Sequence, residues 1–283
     1  MSVRFGPAGN CNDFYESGGR STVDMLRYVA QQGLNAYEYQ CGRGVRLSEK
    51  TAAELRAAGE EHGVCLSLHA PYFISLASAD PEKRDNSLRY ILDSAAAVAA
   101  LGGDRIVVHP GGLGGLSRED ATSLACETLA RAQRLLDDEG LSQVHICPET
   151  MGKIGQLGDF EEVLRMCLVD ERFIPCVDFG HLNSRTHGAV NSEEAFAALL
   201  DRMEEVLGGE RARAFHAHFS KIEYTAGGEK RHLTFADTEF GPDPAPLMRL
   251  IAARGFAPTF LCESDGTQTR DAAALQALYR TNP

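Results

Sequence analysis

The sequence predicts a single (β/α)8 barrel spanning residues 1–283. Three observations carry this reading. Short apolar runs alternate with amphipathic, helix-patterned stretches, eight of each. The runs are apolar on both alternating faces, as strands of a buried parallel sheet are. Imidazoles and carboxylates also recur near the ends of the runs, at 69, 109, 149, 178, 216 and 263, roughly one βα unit apart. A closed barrel would carry that series to one rim, the face where barrel enzymes hold their chemistry. With 283 residues, 43% of them apolar, the chain can bury a full core without a second domain. An open doubly wound sheet is the alternative.

The strand-like runs lie at residues 3–6, 36–40, 65–69, 105–109, 144–149, 174–178, 214–219 and 259–263. Helical spacing of Ala, Leu, Glu and Arg marks 51–62, 87–101, 119–139, 192–207 and 245–254 between them. The long irregular pieces, 111–117, 150–159 and 220–244, all follow strands. The N-terminus lacks the basic and apolar regions of a signal peptide, and no run of about 18 apolar residues could span a bilayer. A soluble, cytoplasmic protein is expected. The eight cysteines, including Cys65, Cys147, Cys176 and Cys262 within strands, form no CxxC pair and are expected as buried reduced thiols.

The run-end residues are candidate metal ligands. His69 ends Ser67-Leu68-His69 before Ala70-Pro71-Tyr72, and His109 repeats the arrangement before Pro110-Gly111-Gly112. Glu149 and Glu263 close apolar runs, where a carboxylate needs a cation or hydrogen-bond partners to offset desolvation. In Asp178-Phe179-Gly180-His181 a carboxylate and an imidazole flank a turn, although an Asp there could also cap a helix. Phe215-His216-Ala217-His218-Phe219 puts two histidines on one strand face. Of these, His216 is expected as the ligand and His218 as a group behind it or facing substrate. Glu229 and His232, in Gly228-Glu229-Lys230-Arg231-His232, are either an exposed charged loop or further ligands at the rim. Imidazole and carboxylate without thiolate suit Zn²⁺ first, with Mn²⁺ or Fe²⁺ also fitting.

Net charge is −12, which argues against generic adhesion to nucleic acid. Three divalent ions would nevertheless add six positive charges at the rim, where a substrate phosphate would go.

In its combined order, the series His69-Ala-Pro-Tyr72, His109-Pro-Gly-Gly, Pro148-Glu149-Thr150 with Gly155-Gln156, Asp178-Phe-Gly-His181, His216 and Glu263 resembles the endonuclease IV family of abasic-site DNA-repair nucleases. The resemblance implies a monomeric three-zinc barrel that cleaves the phosphodiester 5′ to an abasic site in DNA and leaves a 3′-hydroxyl. It implies a first zinc on His69, His109 and Glu149, and a second on Glu149, Asp178, His216 and Glu263, with Glu149 bridging. A third would sit on His181, Glu229 and His232, and a metal-bound hydroxide would be the nucleophile. Tyr72 and Phe73 match the family's wedge into the base stack, and His218 would face the DNA. Two departures stand out. The family's third-metal loop reads Asp-x-His, whereas Glu229 and His232 are spaced by two residues here, and Arg43 is the nearest counterpart of the family's DNA-penetrating arginine. A rival within the same fold is a sugar isomerase or epimerase similar to xylose isomerase. That enzyme needs one divalent ion, for which Glu149, Asp178, His216 and Glu263 would suffice.

Overall fold

The structure, a computed structural model, describes residues 2–281. Its parallel strands are β1 (Arg4–Pro7), β2 (Ala36–Gln40), β3 (Cys65–His69), β4 (Arg105–Val108), β5 (His145–Pro148), β6 (Cys176–Asp178) and β7 (His216–Phe219). An antiparallel hairpin follows, β8 (Ile222–Thr225) and β9 (Gly228–His232), and then a last parallel strand, β10 (Thr259–Cys262). Two four-stranded sheets form, β1-β10-β7-β6 and β2-β3-β4-β5. Single parallel bridges, Ala8 to Glu38 and Glu149 to Cys176, join them at both edges and close the ring of eight. This is the expected barrel.

The strands are short because each is buried on both faces and ends where the chain turns to its helix. Side chains such as Phe5, Leu68, Ile106, Val108, Ile146, Val177 and Phe260 belong to one continuous core with the helices outside. Those helices begin at side-chain caps: Ser48, Ser117 and Ser192 each accept from a backbone N–H three residues on. Asp159 and Glu162 form a reciprocal capping box. Each such cap contributes about 1 kcal/mol. One helix begins at Pro81 rather than near residue 87, because Asp80 caps it and Pro81 occupies a first-turn position where no N–H is needed.

Two features depart from expectation. The 220–244 segment is not simply irregular, since it opens with the β8–β9 hairpin. Of the four strand cysteines, Cys147, Cys176 and Cys262 are buried, but Cys65 is exposed. All eight cysteines are free thiols. Among the described residues no helix is long and apolar enough to cross a membrane.

Candidate metal centre

The C-terminal strand ends converge on Glu149, which directly follows β5 and is fully buried. Its Oε2 lies 2.9 Å from His109 Nε2 and 3.3 Å from His69 Nε2. Its Oε1 lies 3.0 Å from His218 Nδ1 and 3.5 Å from His181 Nδ1. One carboxylate thus faces four imidazoles from four different strand ends. Among the described residues four groups of donor atoms are close enough together to share an ion, three of them around the rim: His69, His109 and Glu149; Glu149, Asp178, His218 and Glu263; and His181, Glu229 and His232; the fourth, Cys176, His216 and His218, includes the deeper His216.

Hydrogen bonds behind the rings decide which nitrogen each turns inward. His69 Nδ1 is 2.9 Å from the Ala70 carbonyl and His181 Nδ1 is 2.9 Å from the Thr150 carbonyl. A carbonyl only accepts, so both Nδ1 atoms carry a proton, and Nε2 is the nitrogen whose lone pair becomes available to an ion once its own proton is displaced. His232 Nδ1 is likewise held, by the Ser220 hydroxyl at 2.8 Å. His218 is reversed: its Nδ1 faces Glu149 and Glu263, while its Nε2 faces Glu38.

Asp178 shows how one carboxylate divides its work. Its Oδ1 accepts from the His181 backbone N–H at 2.7 Å, capping the helix Phe179–Arg185. Its Oδ2 is buried without a hydrogen bond, its charge met only by His181 Nδ1 at 3.4 Å, which leaves it free to take a cation. The helix-cap and ligand readings of Asp178 are therefore compatible, one per oxygen.

Glu229 and His232 reach the rim because β9 packs against the loop that follows β5. Glu229 N donates to Gly152 O at 3.1 Å, and Ile154 N donates to Gly227 O at 3.1 Å. Gly228 has φ +89° and passes so close that a Cβ there would lie 2.2 Å from Gly152 O. Only glycine fits that crossing. Glu229 Oε2 ends 3.5 Å from His181 Nε2.

The charges are mutually supportive. Burial alone would depress His69, but Glu149, and behind it Glu38 and Glu263, raise it to about 9. His181 is held up against burial by Asp178, Glu149 and Glu229. Burial would raise Glu149, yet His218 and His109 keep it well below the usual carboxylate range. Divalent ions placed among these groups would replace the histidine protons as the positive partners, so the donor set fits such ions.

Two expectations from the sequence fail at β7. His216 does not join Asp178 and Glu263; His218 does. In the sheet Asp178 pairs with His218, while His216 pairs with Cys176 one layer down. Two residues of strand place His216 roughly 6–7 Å deeper in the barrel. There its Nε2 is 2.9 Å from Glu38 Oε2. Being fully buried, His218 also has no face to offer DNA. The sequence reading missed Glu38 altogether, although an acidic residue in the middle of the Tyr37-Glu38-Tyr39 run was a visible signal.

Above the donors opens a cavity of about 490 Å³, lined among others by Tyr72, His109, Lys153, His181, Glu229 and Glu263. Tyr72, which lines it, and its neighbour Phe73 have 60% and 57% of their surface exposed, unusual for large aromatic side chains. Tyr72 lies against the loop after β2, where a Cβ on Gly42 would meet its ring at 2.4 Å. Arg43, the next residue, is exposed on that loop.

Known proteins share this architecture. A family model described as xylose isomerase-like TIM barrel matches residues 26–281. An uncharacterised protein of Methanocaldococcus jannaschii is 35% identical over 260 residues, covering 91% of this chain and 90% of its own. A protein of Acholeplasma laidlawii named probable endonuclease 4 is 28% identical over 211 residues, covering 72% of this chain and 69% of its own. Among solved structures, a D-tagatose 3-epimerase-like protein superposes with TM-score 0.74 at 19% identity, over 99% of this chain and 97% of that one. Endonuclease IV of Thermus thermophilus superposes with TM-score 0.69 at 21% identity, over 98% of each chain. At those identities the superpositions speak to the fold alone.

Proposed function

The chain belongs to the xylose isomerase-like TIM barrel family, and we propose that within it this protein is a metal-dependent phosphodiesterase that cleaves DNA on the 5′ side of abasic sites. The observation that carries the proposal is the third donor group. His181, Glu229 and His232 meet at the rim beside the two groups that share Glu149. An isomerase or epimerase working with one ion needs only Glu149, Asp178, His218 and Glu263, and would have no use for His69, His109 or the β8–β9 hairpin. Relatives named probable endonuclease 4 support the same reading.

Charge supports it as well. Glu149, Asp178, Glu229 and Glu263 bring four negative charges to the three groups. Three divalent ions would leave the rim positive by two, which suits a phosphodiester in an otherwise acidic protein. Ions there would supply an activated water and would neutralise charge on phosphoryl oxygens. Zinc suits the imidazole-rich donor set. The protein's own side chains orient these groups: Glu149 joins the first two sets, the Ala70 and Thr150 carbonyls fix two of the rings, and the hairpin completes the third set. Tyr72, lining the cavity, and the exposed Phe73 beside it in sequence would occupy the gap left by a missing base, with Arg43 on the neighbouring loop near the backbone. A monomer is sufficient, since every donor comes from one chain.

The four-donor set taken alone also fits the single-ion sugar epimerase reading. The test is strand nicking of a duplex carrying a tetrahydrofuran abasic analogue by zinc-reconstituted protein, beside an assay for epimerisation of ketohexoses. Cleavage 5′ to the analogue is expected; epimerisation without cleavage would refute the proposal.

A further inference from the structure

Beneath the rim lies a buried polar cluster centred on Glu38, a residue that belongs to none of the three donor groups. Glu38, on β2, is fully buried, and all four of its neighbours are groups able to donate a hydrogen bond. Ser67 Oγ donates to Oε2 at 3.0 Å, and Gln40 Nε2 donates to Oε1 at 3.2 Å. His216 Nε2 is 2.9 Å from Oε2, and His218 Nε2 is 3.0 Å from Oε1. Three of these partners are hydrogen-bonded to the carboxylate, and His218 Nε2 stands 3.0 Å from it without forming a bond. Such a group in the interior of a barrel is costly unless every partner is present.

We propose that Glu38 is a positioning residue for the metal centre: its carboxylate accepts the Nε2–H of His218 and thereby keeps His218 Nδ1 turned toward Glu149, Asp178 and Glu263. The inference rests on the metal-centre reading above. His218 is the one histidine of the site presented through Nδ1, with no backbone carbonyl fixing its other nitrogen, and Glu38 stands where the carbonyl stands for His69 and His181. The 3.0 Å approach is not aligned as a hydrogen bond, and His218 Nε2 has no hydrogen-bond partner. Glu38 is thus the acceptor toward which a small ring rotation would direct its N–H. His216 braces the opposite oxygen. Its Nδ1 is buried and unpartnered, so the ring donates from Nε2 and serves Glu38 rather than an ion at the rim. A carboxylate behind a ligating imidazole fixes the tautomer and strengthens the ring as a donor, an effect worth about 10–100-fold in metal affinity.

One competing arrangement uses the same residues. Cys176, His216 and His218 also bring donor atoms within 4.8 Å of one another. An ion held there would occupy His218 Nε2 and deprive Glu38 of its role.

The test is competitive chelator titration of Zn²⁺ on the full chain, comparing wild type, Glu38→Gln and Glu38→Leu, with unfolding of the chelator-stripped proteins in parallel. One zinc equivalent is expected to weaken by about 10–100-fold, more in Glu38→Leu than in the isosteric Glu38→Gln, while the other equivalents keep their affinity. Unchanged zinc affinity alongside lowered stability would make Glu38 a structural residue only and overturn the inference. Cobalt-substituted wild type supplies a second readout. A thiolate-to-cobalt charge-transfer band abolished in Cys176→Ser would place an ion on Nε2 and also overturn it. If wild type bound no zinc tightly, the metal-centre reading itself would fail, a result distinct from either.

Discussion

Replacing Glu149 with Gln in chelator-stripped protein should destabilise the fold in a pH-dependent way. In wild type His69 is raised from 6.5 to about 9, with burial working against the shift and Glu149 the largest favourable cause. A group raised on folding contributes stability that is complete below its unfolded value, here 6.5, and is lost as pH climbs through 9. At 1.36 kcal/mol per pH unit, His69 alone accounts for about 3 kcal/mol at most, because Glu38 and Glu263 supply part of the shift. His181 and His218 are raised in the same direction and add to the slope. The depressed carboxyl of Glu149 acts in the opposite window: its contribution is present above its unfolded value near 4.5 and is lost only in acid. Stripped wild type should therefore lose stability between about pH 6.5 and 9.5, and Glu149→Gln should lose much less over the same interval. Urea unfolding followed by circular dichroism at the two pH values measures this, with other titrations cancelling in the wild-type minus variant difference. A difference of the same size at both pH values would refute the reasoning.

Three further outcomes follow from the same geometry. Zinc affinity should rise as pH increases from 6.5 to 9, about tenfold per unit for each proton displaced, because metal must replace the proton on His69; a pH-independent affinity in chelator competition would count against it. Tyr72→Ala and Phe73→Ala should each weaken binding to an abasic duplex by about 10–100-fold, the range of one base-stacking contact, with metal content unchanged; fluorescence anisotropy with a labelled duplex reads this out. Gly228→Ala puts a Cβ 2.2 Å from Gly152 O at a left-handed φ, so the hairpin must shift and one metal equivalent should be lost while the other two remain. Elemental analysis decides that case.

The barrel was legible because strands buried on both faces read as short apolar runs, and helix-patterned stretches separate them. The rim donors were legible for the same reason, since an ionisable residue at the end of such a run has few inexpensive fates. Depth within the barrel was not. His216 and His218 share a face, and the layer each occupies depends on the register that sets Asp178 beside His218, which is a property of strand pairing and not of β7's own sequence. Glu38 escaped notice because three of its four partners come from β3 and β7, far along the chain. The hairpin escaped because its strands are short and charged, and its position depends on a glycine crossing with the loop after β5. Asp178 looked like a choice between cap and ligand only while its two oxygens could not be told apart.

If three donor groups operate at this rim rather than one, elemental analysis of wild type and Glu229→Ala after zinc reconstitution will separate the two cases. Wild type should hold close to three zinc ions per chain and the variant close to two. A single ion per chain in both proteins would leave a one-metal barrel.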